Sequence, residues 1–392
     1  MKITDVISLL GGLGLFLYGM QMMSNGLEAA AGNRMKKILE KLTANRFLGV
    51  LVGAGITAAI QSSSATTVMV VGFVNSGMMT LSQAVWIIMG ANIGTTITGQ
   101  LIALDVGAFA PLFAFIGVAL IVFLKQEKVH HYGKIIAGLG ILFIGMDMMS
   151  AAMMPLRESE AFISLMTKFS NPVLGILVGA VFTAVIQSSS ASVGILQALA
   201  SSGVIGLSQA VYVLFGQNIG TCITAVLASI GTSRSAKRTT IIHLLFNLIG
   251  TTIFTVICIL TPFTALVESF TPANVSAQIA NMHTIFNITT TLLLLPFGAY
   301  LAKIATKILP DLPEEKNDVM HLEFIHPVIP IENRGETKIG LSAIAITAVK
   351  NELLRMTEMT SENVSLSFDA VKEGKTSMLP DIRNREEYID YL

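Results

Sequence analysis

The sequence Gln61-Ser62-Ser63-Ser64 interrupts an apolar region over residues 48–76, and Gln187-Ser188-Ser189-Ser190 interrupts a second one over 173–202. The apolar arms on either side of each QSSS sequence are about 13 residues long. At about 1.5 Å rise per residue, a helical arm of that length spans roughly 20 Å, less than the ~30 Å hydrocarbon core of a bilayer. Non-helical backbone inside a membrane is tolerated only where protein or a water-filled cavity surrounds it. The pattern therefore predicts two re-entrant helical hairpins, each with a QSSS sequence at its tip.

The rest of the composition is that of a membrane protein. Of 392 residues, 53% are hydrophobic and only 13% charged, with a mean hydropathy of +0.70, whereas a soluble domain carries about 25% charged residues. This excludes a soluble enzyme, a disordered chain and a disulfide scaffold, and the few basic residues exclude nucleic acid as a partner. Seven further apolar segments are near the ~20 residues that a spanning helix needs. They lie at about 6–24, 82–104, 106–124, 133–152, 208–230, 239–262 and 282–302.

The two hairpins belong to an internal repeat. A shift of 126 residues places segment 47–98 on 173–224 without a gap, and 28 of the 52 positions are identical. Between equivalent points the chain has three crossings, at 6–24, 82–104 and 106–124, and a hairpin adds an even number. The total is odd, so the second repeat is predicted to be inverted. Inverted repeats with paired interrupted helices are typical of secondary transporters whose binding site lies at the repeat interface.

The distribution of charge gives the domain boundaries and the orientation. Residues 1–310 hold 16 basic and 9 acidic side chains, and residues 311–392 hold 9 and 16. With the N-terminus outside, thirteen basic residues fall in cytoplasmic segments and three outside, which satisfies the positive-inside rule and makes the tail cytoplasmic. We predict a transmembrane repeat at 1–125, an inverted repeat at 126–262, a last transmembrane helix and connection at 263–310, and a cytoplasmic helical tail at 311–392.

The hairpin tips are the first candidate site. Ser and Gln offer hydrogen-bond donors and acceptors without charge, and four such side chains at mid-membrane depth are costly unless something binds there. A helix restarting after each QSSS sequence points its free N–H groups and its partial positive charge at the tip. Two facing tips would make an anion site. The competing interpretation is that Ser and Gln only join helices.

A second motif follows each hairpin, as GANIGTT at 90–96 and GQNIGTC at 216–222. Asn between glycines is predicted to break the helix there, so that backbone carbonyls and side-chain oxygens could hold Na⁺. The alternative is that the glycines let helices pack closely. No midplane segment contains a basic residue and no nucleotide-binding loop is present. Co-bound cations would then supply the positive charge, and an ion gradient the energy.

Other polar residues leave alternatives open. His243 with Asn247 and His283 with Asn287 fit either structural support or a proton or substrate role, and Asp147 fits either an interfacial position or a coupling role. An intramembrane serine hydrolase using a QSSS serine with one of these histidines is disfavoured, because there is no G-x-S-x-G sequence and the histidines do not repeat at the 126-residue offset. Cys222 and Cys258 lie in apolar segments and are predicted to be free thiols.

Two QSSS hairpins, each followed by a GxNIGT sequence, resemble the type II sodium/phosphate cotransporter family in its bacterial form, over about residues 1–310. The resemblance implies a non-enzymatic, Na⁺-coupled symporter of inorganic phosphate that works by alternating access in the bacterial plasma membrane, with no cofactor beyond the coupling ion. It implies phosphate binding by Ser62, Ser63, Ser64, Ser188, Ser189 and Ser190. It implies Na⁺ binding by Gln61, Asn92, Thr95, Gln187, Asn218 and Thr221.

Several alternatives stay open beside this resemblance. The substrate could be another oxyanion or a small carboxylate, and a phosphate-sensing membrane receptor would use the same site without flux. A homodimer is compatible with the architecture. The tail over 340–374 is amphipathic and resembles part of a PhoU-like helical domain, and another helix is expected to begin near Arg385. So few apolar positions predict a tail that is partly mobile or completed by self-association.

Overall fold

In the computed structural model, residues 2–31, 45–75, 79–104, 107–310, 323–325, 338–374 and 378–392 are described. Within these residues the regular structure is helical and contains no strand, which confirms the all-α class. Short 3₁₀ turns occupy Gly107–Phe109, Met154–Glu158 and Leu295–Phe297. The α-helices are α1 Ile3–Ala31, α2 Arg46–Ile60, α3 Ser63–Asn75, α4 Leu81–Ile102, α5 Ala110–Phe123, α6 Glu127–Met153, α7 Glu160–Lys168, α8 Pro172–Ile186, α9 Ser189–Ser201, α10 Leu207–Gly220, α11 Cys222–Ala228, α12 Arg234–Leu260, α13 Phe263–Glu268, α14 Val275–Leu294, α15 Gly298–Ile308, α16 Lys338–Glu373 and α17 Leu379–Tyr391.

Six helical stretches of the described chain are long and apolar enough to cross a membrane. They are Ile3–Ala30, Leu81–Ile102, Glu127–Leu156, Leu207–Ala228, Arg234–Leu260 and Val275–Ile308. The predicted span at 106–124 instead forms a shorter apolar helix, Gly107–Phe123. The protein is therefore a multi-pass membrane protein.

Both regions around the QSSS sequences fold as helix–turn–helix hairpins, α2–α3 and α8–α9. The arms are 15 and 13 residues long in each hairpin. Asn45 caps α2, since its side chain accepts the N–H groups of Phe47 and Leu48, and Asn171 caps α8 in the same way. The hairpins are as short as the sequence predicts, and their re-entry from one side of the membrane remains a prediction.

Glycines allow each first arm to lie directly on the helix that follows the hairpin. A Cβ on Gly94 would lie 2.5 Å from the carbonyl oxygen of Ala54, and a Cβ on Gly90 would overlap the carbonyl of Val50. The second repeat has the same arrangement, with Gly216 against Ile176. Small residues are needed wherever helix backbones approach this closely. The glycines of the GxNIGT sequences thus bring the hairpin arms against α4 and α10.

The predicted break at the GxNIGT sequences is wrong in the first repeat, where α4 runs without interruption from Leu81 to Ile102. The polar side chains support this helix. Asn92 donates from Nδ2 to the carbonyl of Ile88 at 2.8 Å, and Thr95 donates from Oγ1 to the carbonyl of Ala91 at 3.1 Å. These bonds add to the backbone ladder instead of replacing it, so no carbonyl is set free.

The second repeat has a helix boundary at Thr221 but no unwound turn. Thr221 keeps helical dihedral angles, φ −57° and ψ −28°, and its N–H donates to the carbonyl of Gln217 at 3.1 Å. The predicted interruption is thus present in the second repeat, between α10 and α11, and the release of backbone carbonyls there remains a prediction. Close packing of Gly220 against Ala180 holds the two helical pieces on α8.

The tail forms two helices, α16 and α17, that pack on each other. Glu352 and Asn363 are buried in α16. Arg355 Nε donates to Glu352 Oε1 at 2.8 Å, and Arg355 Nη1 donates to the hydroxyl of Tyr388 on α17 at 3.2 Å. Helix α16 covers the predicted amphipathic segment, and α17 begins at Leu379, somewhat before the expected start at Arg385. The residues 311–322 and 326–337 of the predicted tail lie outside the described residues.

Candidate functional site

The turn of each hairpin is made by a glutamine in the left-handed conformation. Gln61 has φ 58° and ψ 26°, and Gln187 has φ 59° and ψ 21°. They are the two non-glycine residues with positive φ in the described chain. The N–H of Gln61 donates to the carbonyl of Thr57 at 2.7 Å, and that of Gln187 to Thr183 at 2.7 Å. This conformation costs an L-residue roughly 1–2 kcal/mol, which the rest of the hairpin must offset.

The serines begin the second arm of each hairpin. Ser62 Oγ accepts the N–H of Ala65 at 3.1 Å, and Ser188 Oγ accepts that of Ala191 at 3.2 Å, so both cap the helix that follows. Helices α3 and α9 start at Ser63 and Ser189, both buried. The predicted helix N-terminus at each tip is therefore present. Both tips present hydroxyls next to first-turn N–H groups, which suits an anion.

Two threonines join the hairpins of the two repeats. Thr98 Oγ1 donates to Gln61 Oε1 at 2.7 Å and lies 3.3 Å from Ser190 Oγ. Thr224 Oγ1 donates to Ser64 Oγ at 3.2 Å. Thr98 and Thr224 are equivalent at the 126-residue offset, as are Ser64 and Ser190. Each threonine thus contacts the last QSSS serine in the hairpin of the other repeat, so the two tips lie close together.

Sequence reasoning did not select Thr98 and Thr224 as site residues. Both lie three residues beyond the NIGT sequence, one helical turn along the same helical stretch. Their identity in both repeats was the available signal. The contacts join residues 92 and 160 positions apart, which no local pattern predicts.

The predicted Na⁺ ligands Asn92 and Thr95 on α4, Asn218 on α10 and Thr221 at the boundary of α10 and α11 are buried. In the described chain they are not hydrogen-bonded to the QSSS residues. Asn218 donates from Nδ2 to the carbonyl of Leu214 at 3.1 Å, and its Oδ1 lies 3.1 Å from His283 Nε2. Because the amide nitrogen is committed to a carbonyl, the oxygen faces the imidazole and His283 donates from Nε2. Thr221 Oγ1 donates to the carbonyl of Gln217 at 2.9 Å. One lone pair of the Asn218 oxygen remains for another ligand.

The remaining candidates lie apart from the tips. His243 is buried, and its carbonyl accepts Nδ2 of Asn247 at 3.0 Å. Asp147 is exposed and lies next to Gly107, at the start of a 3₁₀ turn. A Cβ added to Gly107 would be 3.1 Å from Asp147 Oδ2. Neither His243 nor His283, both within the described chain, hydrogen-bonds a QSSS serine. The geometry therefore gives no support to a serine nucleophile with a histidine base.

The described chain thus combines six membrane-length helices with two polar hairpin tips, which is the architecture of a polytopic membrane protein. Residues 15–151 and 153–271 match the Na⁺/Pi-cotransporter family. The chain belongs to this family, which confirms the resemblance seen in the sequence and makes the protein a membrane transporter rather than an enzyme.

Curated relatives agree with the family. "Uncharacterized protein YqeW" of Bacillus subtilis is 33% identical over 296 residues, 75% of this chain and 95% of YqeW. "Putative inorganic phosphate export protein YjbB" of Escherichia coli is 28% identical over 314 residues, 79% of this chain and 56% of YjbB, so the chain spans about half the length of that relative. Human "Sodium-dependent phosphate transport protein 2B" is 34% identical over 147 residues, 34% of this chain and 21% of that protein. No solved structure matches the chain.

Proposed function

We propose that the protein is a Na⁺-coupled symporter of inorganic phosphate that binds its substrate between the two QSSS tips. The contacts of Thr98 with Ser190 and of Thr224 with Ser64 carry this proposal, because they bring the hydroxyls and helix N-termini of both repeats to one place. The phosphate ligands are the six serines at 62–64 and 188–190. Transport by alternating access would expose the paired tips first to one side of the membrane and then to the other.

The chemistry of the tips favours phosphate over sulfate. Serine hydroxyls and the glutamine amides offer both donors and acceptors. A singly protonated phosphate has an O–H to donate, whereas sulfate at neutral pH only accepts. An acceptor such as Gln61 Oε1, which already receives the hydroxyl of Thr98, can serve phosphate but would repel sulfate. A small carboxylate would leave part of this donor set unused.

Na⁺ would supply the positive charge that the tips lack. The QSSS and GxNIGT sequences contain no Lys or Arg, and an anion moved into the membrane without a counter-charge is expensive. Neutral side-chain oxygens suit a weakly bound alkali cation. We assign Na⁺ binding to Gln61, Asn92, Thr95, Gln187, Asn218 and Thr221. The name of the human relative supports sodium as the coupling ion over the part that it shares with this chain.

Uptake of radiolabelled phosphate into proteoliposomes tests both halves of the proposal. An inward Na⁺ gradient should drive accumulation, and replacement of Na⁺ by choline should abolish it. Ser63→Ala and Ser189→Ala should each lower uptake about ten- to a hundredfold, since a hydrogen bond to a charged group contributes roughly 1.5–3 kcal/mol. Ser82→Ala, at an exposed serine at the start of α4, is the matched control and should leave uptake unchanged.

Each outcome decides one element of the proposal. Full uptake without Na⁺ would refute the coupling, and normal uptake by both serine variants would refute the site. Binding of phosphate without any flux would favour the receptor alternative. Inhibition by excess sulfate as strong as that by unlabelled phosphate would contradict the assigned selectivity.

A further inference from the structure

We infer that the second repeat contains an additional Na⁺ site, formed by Thr183, Ser192 and Gln217, that the first repeat lacks. The inference rests on the proposed Na⁺-coupled transport and extends it. These three residues lie outside the QSSS and NIGT residues assigned above. The two repeats are closely alike in sequence, but the equivalent side chains are hydrogen-bonded differently in each.

In the first repeat the equivalent residues satisfy one another. Thr57 and Thr66 are both fully buried, and Thr57 Oγ1 donates to Thr66 Oγ1 at 2.9 Å. Thr66 Oγ1 in turn donates a hydrogen bond to the carbonyl of Ser62 at 3.1 Å. The third equivalent position is Ala91, which has no polar side-chain atom. At these three positions the first repeat therefore leaves no side-chain oxygen without a partner.

In the second repeat the same three positions leave three oxygens without a partner. Thr183 and Ser192 are fully buried, and Gln217 is 2% exposed. Thr183 Oγ1, Ser192 Oγ and Gln217 Oε1 all lack a hydrogen-bond partner. Buried polar atoms are nearly always satisfied by protein, water or a bound ligand. The second repeat thus lacks the hydroxyl–hydroxyl bond that joins Thr57 to Thr66. It also has the polar Gln217 where the first repeat has Ala91.

Helix contacts place these three residues together. Gln217 Nε2 donates to the backbone carbonyl of Ser192 at 3.1 Å, which joins α10 to α9. A Cβ on Gly220 would lie 2.8 Å from Thr183 Cβ, and Gly220 is one turn from Gln217. Thr183 and Ser192 are at the positions whose equivalents, Thr57 and Thr66, hydrogen-bond across the first hairpin. These relations place the three side chains where α8, α9 and α10 meet.

The orientation of the Gln217 amide is fixed by chemistry. Its nitrogen must face the carbonyl of Ser192, since two oxygens there would repel each other. The amide oxygen is therefore turned away from Ser192 O and is available as an acceptor. An amide oxygen with two hydroxyl oxygens gives a neutral, oxygen-only ligand set.

This ligand set selects a monovalent alkali cation. Ca²⁺ and Mg²⁺ sites use carboxylates, and the described chain contains no group of three or more His, Cys, Asp or Glu residues that could hold a metal ion. Neutral amide, hydroxyl and carbonyl oxygens coordinate Na⁺ in transporters. A Na⁺ ion here would lie beside the hairpin whose turn is at Gln187. Its binding would therefore hold the second tip in the conformation that binds phosphate.

The test compares equivalent positions of the two repeats in the full-length protein. Gln217→Ala gives the second repeat the residue of the first, and Thr183→Val removes one hydroxyl with little change in shape. Each should raise the Na⁺ concentration for half-maximal phosphate uptake about tenfold, as expected for loss of one ligand interaction. Thr57→Val, at the equivalent position of the first repeat, should leave that Na⁺ concentration unchanged.

A second readout does not depend on transport. Without phosphate, NaCl should raise the thermal unfolding temperature of the purified wild-type protein relative to choline chloride, and Gln217→Ala should reduce this difference. If the space holds only a water molecule, the difference will be the same in both proteins and the inference is wrong. Wild-type uptake that needs no Na⁺ would instead refute the proposed coupling. If Gln217→Ala fails to fold, Thr183→Val decides by the same two measurements.

Discussion

At the scale of single residues, Gln61 and Gln187 are the most informative. A turn with φ near +60° favours glycine, which has no Cβ and adopts this conformation without cost. Both repeats nevertheless place glutamine there, with φ 58° and 59°. Gln61 uses its amide, since Oε1 accepts Thr98 Oγ1 and Nε2 donates to the carbonyl of Ala58. Strain that persists at such a position indicates that the side chain is needed for function.

This interpretation predicts opposite effects on stability and transport. Gln61→Gly and Gln187→Gly should keep or raise the thermal unfolding temperature, because glycine relieves about 1 kcal/mol of backbone strain. Both should lower phosphate uptake about tenfold or more through loss of hydrogen bonds at the site. The alanine variants serve as controls, as they lose the amide and keep the strain. A glycine variant less stable than the wild type would show that the glutamine amide is structural. A glycine variant no more stable than its alanine counterpart would contradict the assigned backbone strain.

At the scale of helices, His283 connects the site to a helix that is outside the repeats. Its Nε2 lies 3.1 Å from Asn218 Oδ1, which joins α14 to α10. The related His243 on α12 has no such bond from its imidazole. Of the two roles that the sequence leaves open for these histidines, the geometry supports the positioning of Asn218 for His283.

Substitutions at the two histidines test this difference. His283→Leu removes the donor to Asn218 and should raise the Na⁺ concentration for half-maximal uptake several-fold, because the Asn218 oxygen is no longer held in place. His283→Gln, which can donate from its amide nitrogen, should restore part of the wild-type value. His243→Leu is the control and should leave the Na⁺ dependence unchanged. Equal shifts in both leucine variants would argue for general loosening of the helix bundle.

The helices also show where prediction from sequence succeeded and failed. The hairpins follow from local features: short apolar arms, an Asn cap at 45 and 171, and a polar tip. The predicted helix break at Asn92 failed because contacts in the folded protein outweigh the low intrinsic helix propensity of Gly and Asn. In the fold, Asn92 bonds the carbonyl of Ile88 and Gly90 packs on Val50, and both stabilise the helix. Thr98 and His283 depend on tertiary contacts, which the sequence pattern does not contain.

At the scale of the whole molecule, the repeats are alike at the tips and different around them. Thr98 and Thr224 make equivalent contacts with the opposite hairpins. The helices that precede the hairpins make contacts that differ between the repeats. Ser24 Oγ on α1 donates to the carbonyl of Ile60 at 2.5 Å, whereas the equivalent Ser150 Oγ on α6 donates to the carbonyl of Ala198 at 3.2 Å. The Ser24 contact is next to the first hairpin tip, whereas the Ser150 contact is on α9, the second arm of the second hairpin. The proposed alternating access would move one repeat against the other around the binding site, and this difference in contacts is compatible with such a movement.

The predicted inversion of the repeats can be tested directly by the sidedness of equivalent residues. Ser82 and Ser208 are equivalent at the 126-residue offset, and both are exposed at the starts of α4 and α10. Three crossings separate them if the shorter helix Gly107–Phe123 spans the membrane together with Leu81–Ile102 and Glu127–Leu156. We then predict Ser82 in the cytoplasm and Ser208 outside, whereas a parallel duplication would place both on one side. Ser82→Cys and Ser208→Cys, each in a Cys222→Ser, Cys258→Ser background, preserve side-chain size.

A membrane-impermeant maleimide applied to intact cells should label the cysteine at position 208 and not the one at 82, and everted vesicles should give the reverse. Labelling of both after permeabilisation is the control for reactivity. Labelling of both from the same side would contradict the inverted topology, and with it an alternating-access mechanism based on repeat exchange. Position 82 labelled only from outside would reverse the orientation derived from the thirteen cytoplasmic basic residues. The inversion itself would stand in that case, because it depends only on the two positions lying on opposite sides.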